Sequence, residues 1–194
     1  MTPETPQTPH PTQTRASIFH GYGASPEDHW FGWLAQRLSA DGVRTTIPAL
    51  PDPLAPLPTP WTDAVLAALG TPERSSIAVA HSLGCLAVLR CLRTLRGNWR
   101  LGTLVLVSGF VDTLPALPEL DAFIGDGCDV TGLREHVDRI RIIRSDDDPL
   151  VPPSHTDRLA DLLGASVEVV PGAGHFLASD GVTALPKAYA AVMG

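Results

Sequence analysis

The chain has 194 residues, 44% of them hydrophobic, which suits one domain with a buried core. Its formal net charge of −7 argues against nucleic-acid binding, because contact with phosphates requires clustered Lys and Arg. The three cysteines are not closely paired in the sequence, so they form no disulfide framework of a secreted protein. The first residues lack the basic and apolar regions of an export signal, and the longest apolar run, 101–111, is too short to cross a bilayer. We therefore expect a cytoplasmic protein that binds no nucleic acid and no membrane, and the sequence indicates no particular protein partner.

The chain divides into a short polar segment and one long patterned region. Residues 1–14 are almost entirely Thr, Pro, Gln, Glu and His, a composition that buries too little apolar surface to offset its conformational entropy. We predict a disordered tail there. From residue 15 to residue 194, short apolar runs alternate with longer amphipathic stretches, with no linker and no internal repeat, which predicts a single domain.

Short β-branched runs and the stretches between them predict a series of βαβ units. The expected strands are 16–20, 43–47, 77–81, 103–108, 140–145 and 166–170. The expected helices are 28–40, 61–69, 83–96, 153–163 and 183–192, with a further one inside 114–137. This alternation is typical of a three-layer α/β fold, in which helices cover both faces of a mostly parallel central sheet of about six strands. Six prolines make the connection Pro48–Pro60 stiff.

The clearest chemical signal is the segment 77–90, in which an apolar strand turns directly into an apolar helix with Ser82 at the turn. This pattern is typical of a nucleophile elbow, where the residues two before and two after the serine must be small. Here they are Ala80 and Gly84, and Ala80 adds one methyl group to the usual glycine. The alternative is a tight strand-to-helix turn in which Ser82 only caps the helix.

A serine hydroxyl is a weak nucleophile near neutral pH and needs a base and an orienting carboxylate. His175 is the candidate base, because it follows the last expected strand in a Gly-rich loop, although a histidine there could also be a plain surface residue. Asp148 is the candidate carboxylate, because it directly precedes Pro149 at the C-terminal end of a strand. Three successive acids are typical of a solvated turn, and we expect at least one of these to belong to one. The chain order of serine, aspartate and histidine is that of the α/β-hydrolases.

Two backbone N–H groups are candidates for stabilising the oxyanion of a tetrahedral intermediate. Leu83 follows Ser82 at the expected helix N-terminus, and Tyr22 lies in the Gly-rich exit of the first strand, where the backbone can approach a ligand. His20 and His81 have no other metal-binding side chain at ligand spacing. We therefore assign them structural roles and expect no metal and no cofactor.

Five segments carry a wider resemblance: 20–33 (HGYGASPEDHWFGW), 80–85 (AHSLGC), 107–110 (VSGF), 145–152 (SDDDPLVP) and 174–177 (GHFL). Together they resemble the small serine hydrolases of the YdeN and retinoblastoma-binding-protein type. The likeness runs from about Ala16 to the C-terminus. It implies an α/β-hydrolase fold without a cap domain, with Ser82 as nucleophile, Asp148 as acid and His175 as base.

The chemistry predicted from these residues is cleavage of a small ester-like acyl bond through an acyl-enzyme, with thioesters and amides left open. The substrate would be a small molecule, and Phe110, Leu150, Phe176 and the stretch Pro48–Pro60 are the expected apolar lining of its pocket. A non-catalytic protein-interaction module on a hydrolase scaffold is the alternative. A nucleotide-binding domain does not fit, because residues 21–26 lack the glycine spacing of a dinucleotide-binding turn.

Overall fold

The computed structural model describes residues 13–194, so the predicted tail at 1–14 lies almost entirely outside the described residues. The strands are β1 (Arg15–Phe19), β2 (Arg44–Thr46), β3 (Ser76–His81), β4 (Leu101–Val107), β5 (Val137–Ser145) and β6 (Val167–Val170). They form one sheet in the order β2-β1-β3-β4-β5-β6, and every neighbouring pair is parallel. The predicted sheet is confirmed, and it is entirely parallel rather than mostly so.

Helices cover both faces of this sheet. They are α1 (Phe31–Ala40), α2 (Pro58–Leu69), α3 (Leu83–Thr94), α4 (Asp121–Ile124), α5 (Pro153–Leu163) and α6 (Pro186–Met193). Buried side chains of α2, α3 and α5 pack in one hydrophobic cluster, and those of α1 and α6 pack in a second. Every residue of β3 and of β4 is buried, as expected for central strands covered on both faces. The three-layer arrangement is therefore confirmed.

The connection between β4 and β5 differs from the prediction. The helix expected inside 114–137 is only the four-residue α4 with two short 3₁₀ turns, at 118–120 and 133–136. Prolines interrupt the segment before α4, and Gly125, Gly127 and Gly132 have positive φ angles after it. In the part of the chain that the structure describes, no cap domain is inserted between β4 and β5.

The loops that carry the predicted chemistry leave the same edge of the sheet. Because the strands are parallel, their C-terminal ends meet at one edge, where ligands bind in open α/β sheets. The exits of β1, β3, β5 and β6 all lie there. Within residues 13–194, no helix is both long enough and apolar enough to cross a membrane.

Candidate active site

Ser82 occupies a strained turn between β3 and α3. Its backbone has φ 52° and ψ −126°, a conformation that costs a residue with a side chain on the order of 1–3 kcal/mol. A Cβ on Gly84 would collide with the carbonyl oxygen of His20, and a Cβ on Gly21 would lie 2.9 Å from the Cβ of Ser82. Glycine at these two positions lets α3 and the exit of β1 approach the serine, and the methyl group of Ala80 is accommodated in the core.

The side chains of Ser82, His175 and Asp148 form one chain of hydrogen bonds. His175 Nε2 lies 2.9 Å from Ser82 Oγ, and His175 Nδ1 lies 2.8 Å from Asp148 Oδ2. All three residues are buried. Because the Asp148 carboxylate accepts the hydrogen of Nδ1, the neutral imidazole presents the lone pair of Nε2 to the serine hydroxyl. The residue predicted as base thus lies within hydrogen-bond reach of both the predicted nucleophile and the predicted acid.

Further donors fix the Asp148 carboxylate. The hydroxyl of Ser108 donates to Oδ2 at 2.8 Å, and the N–H groups of Leu150 and Val151 donate to Oδ1 at 2.9 Å. Ser108 follows directly after β4, the neighbour of β5, which brings its hydroxyl beside the acid. Sequence reasoning did not assign Ser108 a role, although a serine ending an otherwise apolar strand was a usable signal.

The other two acids of the run hold the loop that carries His175. Asp146 Oδ1 accepts the N–H of Gly172 at 2.8 Å, and Asp147 Oδ1 accepts the N–H of Gly174 at 2.9 Å. The Ser145 hydroxyl, together with the Gly174 N–H, lowers the pKa of Asp147. At least one acid of the run was expected to lie in a solvated turn. Asp146 and Asp147 are exposed, but they also bind the backbone of the facing loop.

A fourth carboxylate, that of Asp180, binds the same loop from its far side. Its Oδ2 accepts the N–H of His175 at 2.9 Å and the N–H of Leu177 at 3.0 Å. A side chain on Gly174 would collide with this carboxylate. The backbone around the candidate base is therefore held by side chains both before and after it, although Asp180 carried no recognisable signal in the sequence.

Two further histidines stabilise the loops around the serine. His81 Nε2 donates to the carbonyl oxygen of His175 at 2.9 Å, and burial lowers the pKa of His81 well below its usual range. The N–H of Leu50 donates to His20 Nε2 at 2.9 Å, so the proton of the neutral ring lies on Nδ1, which donates to the carbonyl oxygen of Gly21 at 2.9 Å. Burial lowers the pKa of His20 as well. Both contacts are structural, as assigned from the sequence.

The two candidate oxyanion donors flank the serine. Leu83 is the first residue of α3, and Tyr22 follows Gly21, which packs against Ser82. Within residues 13–194, neither N–H donates to a protein acceptor. The N-terminus of α3 also carries partial positive charge, which favours a developing oxyanion. That the N–H groups of Leu83 and Tyr22 both donate to the oxyanion of a tetrahedral intermediate stays a prediction.

A small cavity of about 70 Å³ opens beside the candidate nucleophile. Its walls are Gly21, Tyr22, Ala24, His29, His81, Ser82, Leu117, Leu150, His175 and Leu177. One of these walls, Leu150, is a residue that the sequence predicted as apolar lining. The stretch Pro48–Pro60 contributes no wall, and it contacts the site only indirectly, since Gly23 N–H donates to the carbonyl oxygen of Pro53.

Two predicted pocket residues do not line this cavity. Phe110 and Phe176 have no exposed surface and belong to the hydrophobic clusters on opposite faces of the sheet. Each ring gains more from packing in the core than from a small wet cavity. Leu117 and Leu177 supply the apolar surface that was expected from the two phenylalanines.

A larger cavity, of about 490 Å³, lies away from the serine, between α2, α3 and the segment that carries Cys128. The guanidinium of Arg90 is occupied there by the backbone oxygens of Phe123, Ile124 and Gly127. Burial raises the pKa of the Cys128 thiol, which removes thiolate character. This cavity therefore offers no activated nucleophile.

The fold and the site define a class of protein. A parallel sheet with a strained serine after β3, an aspartate after β5 and a histidine after β6 is the arrangement of α/β-hydrolases. A model of the family described as serine hydrolase matches residues 16–193. The chain belongs to this serine hydrolase family.

Known proteins support this assignment. YdeN of Bacillus subtilis (strain 168) is 42% identical over 172 residues, which are 89% of this chain and 90% of YdeN. The crystal structure of the ydeN gene product superposes with a TM-score of 0.89 at 40% identity, covering 93% of this chain and 97% of that chain. Est1E from Butyrivibrio proteoclasticus shares the fold, with a TM-score of 0.64, 16% identity and coverage of 94% and 89%.

Proposed function

We propose that the protein hydrolyses small ester-like acyl bonds through an acyl-enzyme formed on Ser82. The observation that carries this proposal is the continuous hydrogen-bond chain from Asp148 through His175 to the Ser82 hydroxyl. A histidine in this position accepts the serine proton, and the carboxylate stabilises the imidazolium that forms. The membership of the serine hydrolase family supports the same reaction class.

Acylation begins when Ser82 Oγ attacks the substrate carbonyl carbon while its proton passes to His175 Nε2. The carbonyl oxygen becomes an oxyanion beside the N–H groups of Leu83 and Tyr22. The imidazolium of His175 then protonates the departing alcohol, and the C–O bond breaks. Water attacks the acyl-enzyme with His175 again acting as base, which releases the acid and restores the serine.

The size of the cavity supports a small ester, with a short acyl group and a small alcohol. About 70 Å³ is roughly half of the 150 Å³ or so that holds a benzene molecule in an apolar protein cavity. The apolar side chains of Leu117, Leu150 and Leu177 favour a hydrocarbon chain over a charged one. Thioesters and amides are compatible with the same residues, since the acyl-enzyme chemistry is shared.

We place this activity in the cytoplasm, with a small molecule rather than nucleic acid or a membrane as the partner. The cysteines Cys85, Cys91 and Cys128 are free, which supports a reducing compartment. The net charge of −7 supports a neutral substrate over an anionic one. A binding module without catalysis is the second candidate, but no observation favours it over the enzyme.

Labelling with a fluorophosphonate probe tests the proposal, because the probe reacts with activated serines. Wild type should be labelled and should turn over p-nitrophenyl acetate, whereas Ser82→Ala should lose both by several orders of magnitude. Ser154→Ala is the matched control, since Ser154 is exposed at the start of α5. Equal labelling of wild type and Ser82→Ala would refute Ser82 as the nucleophile, whereas no labelling and no turnover by wild type would refute the proposal in favour of the binding module.

A further inference from the structure

His29 is held in a strained conformation beside the candidate active site. It lies between β1 and α1 with φ 56°, a left-handed angle that is uncommon for residues other than glycine. The preceding turn is fixed, because Asp28 Oδ2 accepts the N–H of Ser25 at 2.7 Å and its hydroxyl at 2.9 Å. Strain of this kind is maintained by the surrounding structure and is concentrated at functional sites.

The hydrogen bonding of His29 fixes its tautomer. The backbone N–H of Ala178 donates to His29 Nδ1 at 3.0 Å. A backbone N–H can only donate, so Nδ1 carries no proton and the proton of the neutral ring lies on Nε2. Burial lowers the pKa of His29, which favours the neutral ring. Within residues 13–194, Nε2 has no hydrogen-bond partner, so one N–H donor is left available.

That donor belongs to a ring that lines the same cavity as Ser82 and His175. Its centroid lies 5.9 Å from that of His81, which in turn lies 4.9 Å from the ring of His175. Ala178, the partner of Nδ1, follows His175 by three residues in the same loop. His29 is therefore tied to the loop whose histidine delivers a proton to the leaving group.

We propose that His29 is a specificity-determining residue, whose Nε2–H donates to a neutral oxygen in the leaving group of the substrate. This inference rests on the proposed hydrolase function and narrows its substrate class to esters whose alcohol carries an ether or hydroxyl oxygen near the scissile bond. A carboxylate in that place would be repelled by Asp28 and Asp180, which lie close enough to act on His29 electrostatically.

Two esters of equal size test the proposal: 2-methoxyethyl acetate and n-butyl acetate, which differ by an oxygen in place of a methylene. The quantity compared is the kcat/KM for the ether ester divided by the kcat/KM for n-butyl acetate. Because the ether oxygen accepts a neutral hydrogen bond from His29, this ratio should be about three- to tenfold higher in wild type than in His29→Asn. Asparagine tolerates a positive φ and offers an oxygen near the position of Nδ1 to Ala178, but it has no donor near Nε2. His136→Asn is the control, because His136 lies directly before β5, at the end of the strand away from the candidate active site. This variant should keep the wild-type ratio.

The outcomes separate this inference from the proposed function. Turnover of both esters with the same ratio in wild type and His29→Asn would overturn the role of His29 alone. If wild type shows no Ser82-dependent turnover of n-butyl acetate, the proposed hydrolase function is overturned, and this inference with it. Long-range ¹⁵N–¹H spectra of histidine-labelled protein read the tautomer directly: a proton on His29 Nε2 is expected, and a proton on Nδ1 would contradict the proposal.

Discussion

At the scale of single residues, the three successive acids after β5 have different partners. Asp148 binds the imidazole of His175, whereas Asp146 and Asp147 bind backbone N–H groups. The Asp148→Asn change presents an amide to Nδ1 and disfavours the productive tautomer. We expect kcat to fall by about 10³–10⁴-fold, as measured with a p-nitrophenyl ester.

Asp147→Asn is the matched control for that substitution. An asparagine oxygen can still accept the N–H of Gly174, so kcat should fall by less than about tenfold. The same holds for Asp146→Asn and the N–H of Gly172. If Asp147→Asn proved as damaging as Asp148→Asn, the assignment of the catalytic acid would be wrong.

The buried histidine beside the nucleophile makes stability depend on pH. His81 has a pKa well below its usual 6.5 because burial disfavours its charged form. The unfolded chain therefore binds a proton that the folded protein excludes, and the free energy of unfolding should fall as the pH drops below about 6.5. Each such proton contributes a slope of up to about 1.4 kcal/mol per pH unit.

Urea titrations between pH 7 and pH 5 measure this slope. His81→Gln removes the titration and retains an amide donor near the position of Nε2, which can still reach the carbonyl oxygen of His175. Its slope should be shallower than that of wild type over the same range. Identical slopes in the two proteins would show that His81 is not the group that titrates.

At the scale of the elements, the packing of α3 on the exit of β1 depends on Gly84. A Cβ there would collide with backbone atoms of Phe19 and His20, which cannot rotate away. Gly84→Ala should lower the free energy of unfolding by about 1–3 kcal/mol and reduce turnover, because the turn at Ser82 would shift. Urea unfolding monitored by circular dichroism measures the change.

Gly32 provides the comparison for that substitution. It lies inside α1, where no atom stands within 4 Å of an added Cβ. Gly32→Ala should raise the free energy of unfolding by about 0.5–1 kcal/mol, because alanine loses less backbone entropy in a helix. If Gly84→Ala and Gly32→Ala changed the free energy of unfolding equally, the close approach of α3 to the exit of β1 would not explain the glycine at position 84.

The elements that the sequence predicted well are those with a strong period and defined ends. The strand predicted at 77–81 is Ser76–His81, and the helix predicted at 153–163 matches Pro153–Leu163. The helix expected inside 114–137 is present only as the four residues Asp121–Ile124, because prolines precede it and glycines with positive φ angles follow it. Apolar spacing alone does not reveal such interruptions when the tertiary contacts are unknown.

The site residues show the same division. Ser82, Asp148 and His175 could be predicted to lie together, because the proposed chemistry requires particular residue types at the ends of particular strands. Phe110 and Phe176 could not be placed, because the direction of a side chain in a loop depends on the core that it meets. The acceptors for the backbone of the His175 loop, such as Asp180, depend on contacts across loops that no local pattern encodes.

At the scale of the whole molecule, the absence of a cap domain between β4 and β5 predicts the range of substrates. The 70 Å³ cavity and the short connection leave no deep acyl tunnel and no lid in the described part of the chain. Acetyl to hexanoyl p-nitrophenyl esters should be turned over faster than the palmitoyl ester. The rate should show no jump at the micellar concentration, because no lid has to open. Faster cleavage of long-chain emulsions would contradict this.

The acyl-enzyme itself is the central claim, and its mass can be measured directly. Acid quenching of the reaction with p-nitrophenyl butanoate in the first turnover, followed by peptide mapping, should place a butanoyl group on the peptide that contains Ser82. Ser82→Ala should carry no such group, and Ser154→Ala should carry it as wild type does. Turnover by wild type with no adduct, or with the adduct on another residue, would contradict the account.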